Sequence, residues 1–289
     1  MLEHYEKKGK KKKPVKIKFK TETDNTDNIT VTIELGKLKL KNSSTLVVKD
    51  GSLSLEFSGD FKKSGGAFDG TVTGFKLFDG NVQLVAASHY NFSVSKLRKA
   101  QKALEDGDNG PINKLLFGKA MDIKGSNGDD SLTGGPKGDK IDGKGGTNTI
   151  FGLDGNDVLI GGDANDFLYG GFDDDFLDGR GGQNVLHGDL GADYFAFSSI
   201  NGFSQVLDYG PGDYVGVAKS AFAGIGPTGP INPGLIEYNV AAATQSDTRF
   251  FFTPFGAFFY DSNGSGGGGQ VQIGQFQGIV PSTDAILIY

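Results

Sequence analysis

Residues 125–196 read GSNGDDSLT GGPKGDKID GKGGTNTIF GLDGNDVLI GGDANDFLY GGFDDDFLD GRGGQNVLH GDLGADYFA, eight consecutive blocks of nine. Glycine opens every block, at Gly125, Gly134, Gly143, Gly152, Gly161, Gly170, Gly179 and Gly188. Five residues on stands Asp130, Asp139, Asn148, Asp157, Asp166, Asp175, Asn184 or Asp193. Seven residues on stands a large apolar residue: Leu132, Ile141, Ile150, Leu159, Leu168, Leu177, Leu186 or Phe195. Ile123 sits where the apolar residue of a preceding block would fall. A fixed period of this kind is read before any other feature, because it dictates the architecture.

Each block makes physical sense as a tight turn followed by a very short strand. Glycine tolerates the positive φ that such a turn needs. The three residues after the acid or amide form the strand, the middle one pointing inward and its neighbours outward. One block cannot bury its apolar residue alone, but stacked coils about 4.8 Å apart can. A flexible glycine-rich linker is the competing reading. Linkers do not hold a large apolar residue in phase eight times.

The register resembles the GGxGxDxUx nonapeptide of the RTX family, of haemolysin type, a calcium-binding repeat. Lys137, Ala164 and Asp173 depart from the pattern at its fourth-position glycine. The resemblance implies a right-handed parallel β-roll with two nonapeptides per coil, so about four coils over 125–196. It further implies several Ca2+ ions between successive turns, held by backbone carbonyls of the repeat glycines and by the repeat acids and amides. Alternate blocks then share a side. One side carries Asp139, Asp157, Asp175 and Asp193, and the other carries Asp130, Asn148, Asp166 and Asn184. Calcium affinity depends on ligand charge, so a stronger and a weaker edge are expected.

Charge points to conditional folding. Residues 125–196 hold 14 aspartates against four basic residues. Two carboxylates about 4 Å apart repel by about 4 kcal/mol at an effective dielectric near 20. Several such pairs exceed typical domain stability, so metal binding becomes folding energy. Extracellular calcium modules bind at about 10⁻⁴–10⁻³ M, far above cytosolic calcium, and folding is expected outside the cell.

After Ala196 the period stops. Tyr194–Phe197 reads as the last coil running into a longer strand. Val206 to Asp213, VLDYGPGD, resembles the element that follows the roll in RTX exoproteins, making Asp208 and Asp213 further candidate ligands, although turn residues around Gly-Pro-Gly fit equally. Residues 248–252 and 256–261 read as a hairpin, followed by a strand at 270–276. Asp261 and Asn263 resemble the start of an EF-hand loop, but Gln272 stands where its glutamate belongs, and a polar hairpin loop is expected instead. Residues 197–289 as a whole resemble the cap and uncleaved signal of RTX proteins exported by a type I secretion apparatus. Consistent with that, the charged stretch from Glu3 to Lys20 has no apolar core and is not a secretory signal peptide.

Residues 1–124 are basic, with 23 Lys+Arg against 15 Asp+Glu, whereas residues 125–289 carry 6 against 20. Two regions with different partners are expected. Residues 1–14 read as a solvated basic tail. If the run Lys7–Lys13 binds anything, an anionic polysaccharide or a cell surface suits it, nucleic acid being disfavoured. Val15, Ile17 and Phe19 alternate with lysines, and alternation recurs at 30–35, 37–40, 53–57, 70–78 and 82–88. Residues 15–94 are therefore read as an antiparallel β domain. Residues 95–124 form a helical linker, with Ser95 capping a helix to about Leu104 and Pro111 opening a second through Leu116.

Glycine at 47 residues makes a helical protein unexpected, and zero cysteine excludes disulfides, zinc–thiolate sites and cysteine nucleophiles. No apolar run is long enough for a transmembrane helix. There is no G-x-S-x-G, H-E-x-x-H, P-loop or G-x-G-x-x-G motif. The chain reads as an all-β, secreted, extracellular or surface-associated, non-enzymatic calcium-binding protein. Two other readings compete: an accessory module of an exoenzyme of the lipase, protease or alginate epimerase type, and haem capture by His89-Tyr90 of the N-terminal domain. An ordinary strand-end His-Tyr pair outweighs the second. His4 falls in the tail and His187 on the roll surface.

Overall fold

A computed structural model describes residues 17–18, 32–33, 39–42, 45–50, 53–64, 67–79, 82–88, 92–93, 95–97, 99–100, 114–115, 118–264 and 269–289. The chain divides into two compact units, Met1–Asn81 with Tyr90–Leu116, and Val82–His89 with Phe117–Tyr289. The basic tail, His4, the His89-Tyr90 pair and most of the two linker helices lie outside the described residues.

In the first unit, Lys39–Asn42, Thr45–Asp50, Leu53–Ser64 and Ala67–Asp79 pair in order as an antiparallel meander. The register slips between Ser58 and Gly59, where a Cβ on Gly59 would run into the carbonyl of Thr71. Phe57, Phe61 and Val72 are buried here. Ile17–Lys18 pairs antiparallel with Thr32–Ile33. The helix at 95–97 and 99–100 is capped two residues earlier than the sequence suggests: Ser93 Oγ, not Ser95, accepts from the Lys96 amide at 3.3 Å.

The second unit is a parallel β-roll. One face stacks Ser131–Thr133, Thr149–Asp154, Phe167–Phe172, Gly182–Leu190, Gly202–Val206 and Gln270–Phe276, each parallel to the next. The opposite face stacks Asp122–Lys124, Lys140–Lys144, Val158–Gly162, Phe176–Arg180, Tyr194–Phe197, Tyr214–Val217 and Ile286–Ile288. The eight in-phase apolar residues face inward, none more than 1 % exposed. They continue beyond the repeat: Leu186 is in register with Val206, and Val206 with Phe276. Phe195 is in register with Val215, and Val215 with Ile286.

The roll therefore makes about seven turns rather than four. Ile123 adds one rung at the start, where Val82–Ser88 lies antiparallel against it. Later rungs keep the inward apolar residue but lose the nine-residue spacing. The residues linking Tyr214–Val217 to the final rungs contain the expected hairpin, in which Phe250 faces Tyr260 and Phe252 faces Phe258. Phe250, Phe251, Phe252 and Phe258 are fully buried, and the Phe252 and Phe258 rings stack 4.4 Å apart. This aromatic block covers the end of the roll's core through the edge contact of Phe258 on Phe197. At the hairpin end, Asp261 Oδ1 accepts from the amides of Asn263 and Gly264, the pattern of an Asx turn.

Candidate metal site

The repeat glycines sit in columns along both edges of the roll. A Cβ on Gly143 would lie 2.5 Å from the carbonyl oxygen of Gly161 in the next coil, and one on Gly170 would lie 2.6 Å from that of Gly188. The same Cβ would strike the side chain five residues ahead. Gly125 meets Asp130 Oδ2 at 2.6 Å and Gly134 meets Asp139 Oδ2 at 2.7 Å, and Gly152, Gly161, Gly170 and Gly188 crowd Asp157, Asp166, Asp175 and Asp193 more closely. Gly143 and Gly179 meet the amide nitrogens of Asn148 and Asn184 at 2.6 and 2.5 Å. Glycine is needed there so that the carboxylate can fold back beneath its own turn.

The acids form ladders from coil to coil. Asp157 Oδ1 accepts from the Asp139 amide at 2.6 Å, Asp175 Oδ1 from Asp157 at 2.7 Å, and Asp193 Oδ1 from Asp175 at 3.0 Å. On the other edge Asn148, Asp166 and Asn184 accept in the same way from Asp130, Asn148 and Asp166. One oxygen of each carboxylate is thus committed to backbone. The second oxygens of Asp157, Asp166 and Asp175 are buried and have no hydrogen-bond partner. That is costly for an ionised group.

Burial accordingly pushes the Asp157 carboxyl up to about 8, against the hydrogen bond from Asp139 and with help from the charges of Asp175, Asp139 and Asp154. Asp175 is pushed up to about 7, and Asp166 and Asp193 to about 6, in each case mainly by desolvation. Asp130 and Asp139, at the start of the ladders, are raised as well, but their second oxygens are satisfied by the amides of Ser126 and Gly135.

The two amides behave differently. Each uses Oδ1 for the ladder, which fixes its orientation and turns Nδ2 to where the carboxylates place an oxygen. Asn148 Nδ2 donates to the carbonyls of Gly145 and Gly146, and Asn184 Nδ2 donates to that of Gly181 at 3.0 Å. In these two turns a neutral donor already faces inward-pointing carbonyls.

Of the two acids beyond the repeat, only Asp213 continues a ladder, with Oδ1 accepting from the Asp193 amide at 2.9 Å. Asp208 stands apart, accepting from the amides of Gly188 and Asp189. Sequence reading missed the part played by the Met121 amide, which donates to Asp139 Oδ1 at 2.6 Å and starts one ladder. A lone backbone amide leaves no mark on side-chain spacing.

Orphaned carboxylate oxygens, columns of aligned carbonyls and space that only glycine leaves open fit a hard cation that takes oxygen ligands, and Ca2+ is such an ion. The comparisons agree. The RTX calcium-binding nonapeptide repeat (4 copies) matches residues 124–159, 142–177 and 160–195. No curated protein matches the chain. The matched element is a structural calcium-binding roll and not a catalytic one. Among the described residues, no helix is long and apolar enough to cross a membrane.

Proposed function

Because residues 124–195 carry RTX calcium-binding nonapeptide repeats, we propose that this chain is a secreted, non-enzymatic protein whose roll becomes ordered on binding Ca2+ outside the cell. Asp130, Asp139, Asp157, Asp166, Asp175, Asp193 and Asp213, with the carbonyls of the repeat glycines, are its ligands. The observation that carries this reading is the set of unpartnered second oxygens on Asp157, Asp166 and Asp175. They are buried without a hydrogen-bond partner, and each carboxylate is further disfavoured by neighbouring acids, Asp157 by Asp175 and Asp139, Asp175 by Asp193, and Asp166 by Asp163. Bound Ca2+ supplies the positive charge that this arrangement lacks.

The chain's own residues do the rest. The Oδ1 ladder fixes each carboxylate, the glycines leave room beneath it, and the inward apolar columns reward stacking once repulsion is relieved. Edge chemistry refines the expectation of a stronger and a weaker side. Asp139, Asp157, Asp175, Asp193 and Asp213 make one edge wholly acidic, whereas Asn148 and Asn184 place amide donors on the other. Export by a type I apparatus, with 197–289 as the signal-bearing region, fits folding that waits for external calcium.

The test is circular dichroism of the purified chain during a calcium titration from excess chelator. β-Signal should grow cooperatively with Ca2+ and collapse when chelator is restored. Equal order with and without the ion would overturn the reading.

A further inference from the structure

Outside the calcium edges, the second unit brings together one imidazole and two carboxylates. His187, Asp189 and Asp208 each place a ligand atom within 4.8 Å of the other two, and His187 Nδ1 stands 3.6 Å from Asp208 Oδ2. Two of the three are held in place by neighbours: ring stacking fixes His187 through its face, and each Asp208 oxygen accepts one amide and keeps a second lone pair. The His187 ring stacks on Tyr169 at 5.1 Å and 13°, and Tyr169 stacks on Phe151 at 4.9 Å and 12°, so a column of rings one coil apart fixes the imidazole plane. Asp208 is anchored by the amides of Gly188 and Asp189, at 3.1 and 2.8 Å.

The chemistry differs from that of the edges. Ca2+ takes six to eight oxygen ligands, and an imidazole nitrogen is a poor member of such a set. A histidine with two carboxylates suits a borderline ion such as Zn2+, which is held by nitrogen and oxygen at about 2.0–2.2 Å and keeps a further position for water. Ligand atoms around such an ion lie about 3.3 Å apart. The spacing here needs only a small contraction, which the exposed Asp189 side chain can supply.

We propose that His187, Asp189 and Asp208 form a surface site for a divalent transition ion of the zinc class, distinct from the calcium edges. Asp208 then serves this site, and Asp213 alone extends the acidic edge.

The test uses the full chain in excess millimolar Ca2+, so that the calcium sites are filled, with Co2+ as a visible probe and Zn2+ as its competitor. Ligation by nitrogen and carboxylate should give a d–d absorption band that Zn2+ displaces. His187→Ala and Asp189→Asn should each weaken Co2+ binding at least tenfold, while the double variant His4→Ala/His89→Ala keeps it. Calcium-dependent circular dichroism should be the same in all of them, which separates this result from any failure of the calcium reading. No band beyond that of the free ion overturns the proposal, since the three side chains are then neighbours that hold no metal. A band that His187→Ala retains, or one that rising Ca2+ removes in competition, overturns it equally.

Discussion

Asn148 donates its side-chain amide to the carbonyl of Gly146 at 3.1 Å, occupying with a neutral donor the place where its acidic counterparts hold an oxygen. Nine residues on, the matching atom of Asp157 is buried without a partner. The amide satisfies its turn from within, so that turn needs no ion for local order. Replacing Asn148 and Asn184 by Asp should raise the number of Ca2+ bound per chain and make the ion-free roll less ordered. Asp157→Asn should lower the number bound. Isothermal calorimetry reads both, and stoichiometry unaltered in the double Asn→Asp variant would contradict the division into unequal edges.

Acid should substitute in part for calcium. Asp157 is raised to about 8, Asp175 to about 7, and Asp166 and Asp193 to about 6, all from 3.8. A folded state that holds protons more tightly than the unfolded chain loses stability as pH rises through the folded values. The contribution is fully present below the unfolded value of 3.8, falls as pH rises above it, and is gone once pH has passed the folded values of about 6 to 8. In chelator, β-signal should therefore be greater at pH 5 than at pH 8, and saturating Ca2+ should shrink that difference. A chelator series in which order grows with pH would show that the carboxylates are not buried in the ion-free roll.

Gly170 and Gly128 both belong to the repeat, but they should differ sharply as sites for alanine. A Cβ at Gly170 strikes Asp175 Oδ2 and lies 2.6 Å from the Gly188 carbonyl, whereas one at Gly128 meets only Ser126 Oγ at 3.7 Å. Overpacking of the first kind costs about 1–3 kcal/mol. Gly170→Ala should lower the melting temperature of the calcium-loaded chain and weaken binding, and Gly128→Ala should do little of either. Differential scanning calorimetry in excess Ca2+ distinguishes them.

The roll was legible because its determinants recur. A period of nine places Leu159 below Ile141 and Leu168 below Ile150 with no knowledge of anything distant in the chain. The additional turns were not, because Val215 finds Ile286, and Val206 finds Phe276, only after a long intervening excursion. Single apolar residues in register carry no local signature of that pairing. The candidate ligands were visible as residue types, yet their unequal roles rest on which amide each oxygen accepts from. Asp208 and Asp213 look alike around Gly-Pro-Gly, and only the coordinates of the Asp193 and Asp189 amides separate them. His187 read as an ordinary surface residue because its partners, Tyr169 and Asp208, reach it through coil stacking and a turn.

At four of the five blocks whose second position is not glycine, the backbone still takes a glycine-like conformation, Ser126 being the exception. Lys144, Leu153, Arg180 and Asp189 adopt φ of 73°, 87°, 61° and 68°. Left-handed geometry costs a residue with a Cβ roughly 1–2 kcal/mol, and Leu153 has no side-chain oxygen or nitrogen with which to offset it. Glycine there would remove the strain but lose more chain entropy on folding, a penalty of roughly 0.5–1 kcal/mol. Leu153→Gly should thus stabilise the calcium-loaded roll by about 0.5–1 kcal/mol, seen as a modest rise in melting temperature with unchanged stoichiometry. The same substitution at Phe151, whose φ is not left-handed and whose ring stacks on Tyr169 at 4.9 Å, should destabilise. If both variants melt lower, the positive φ at Leu153 is not a source of strain.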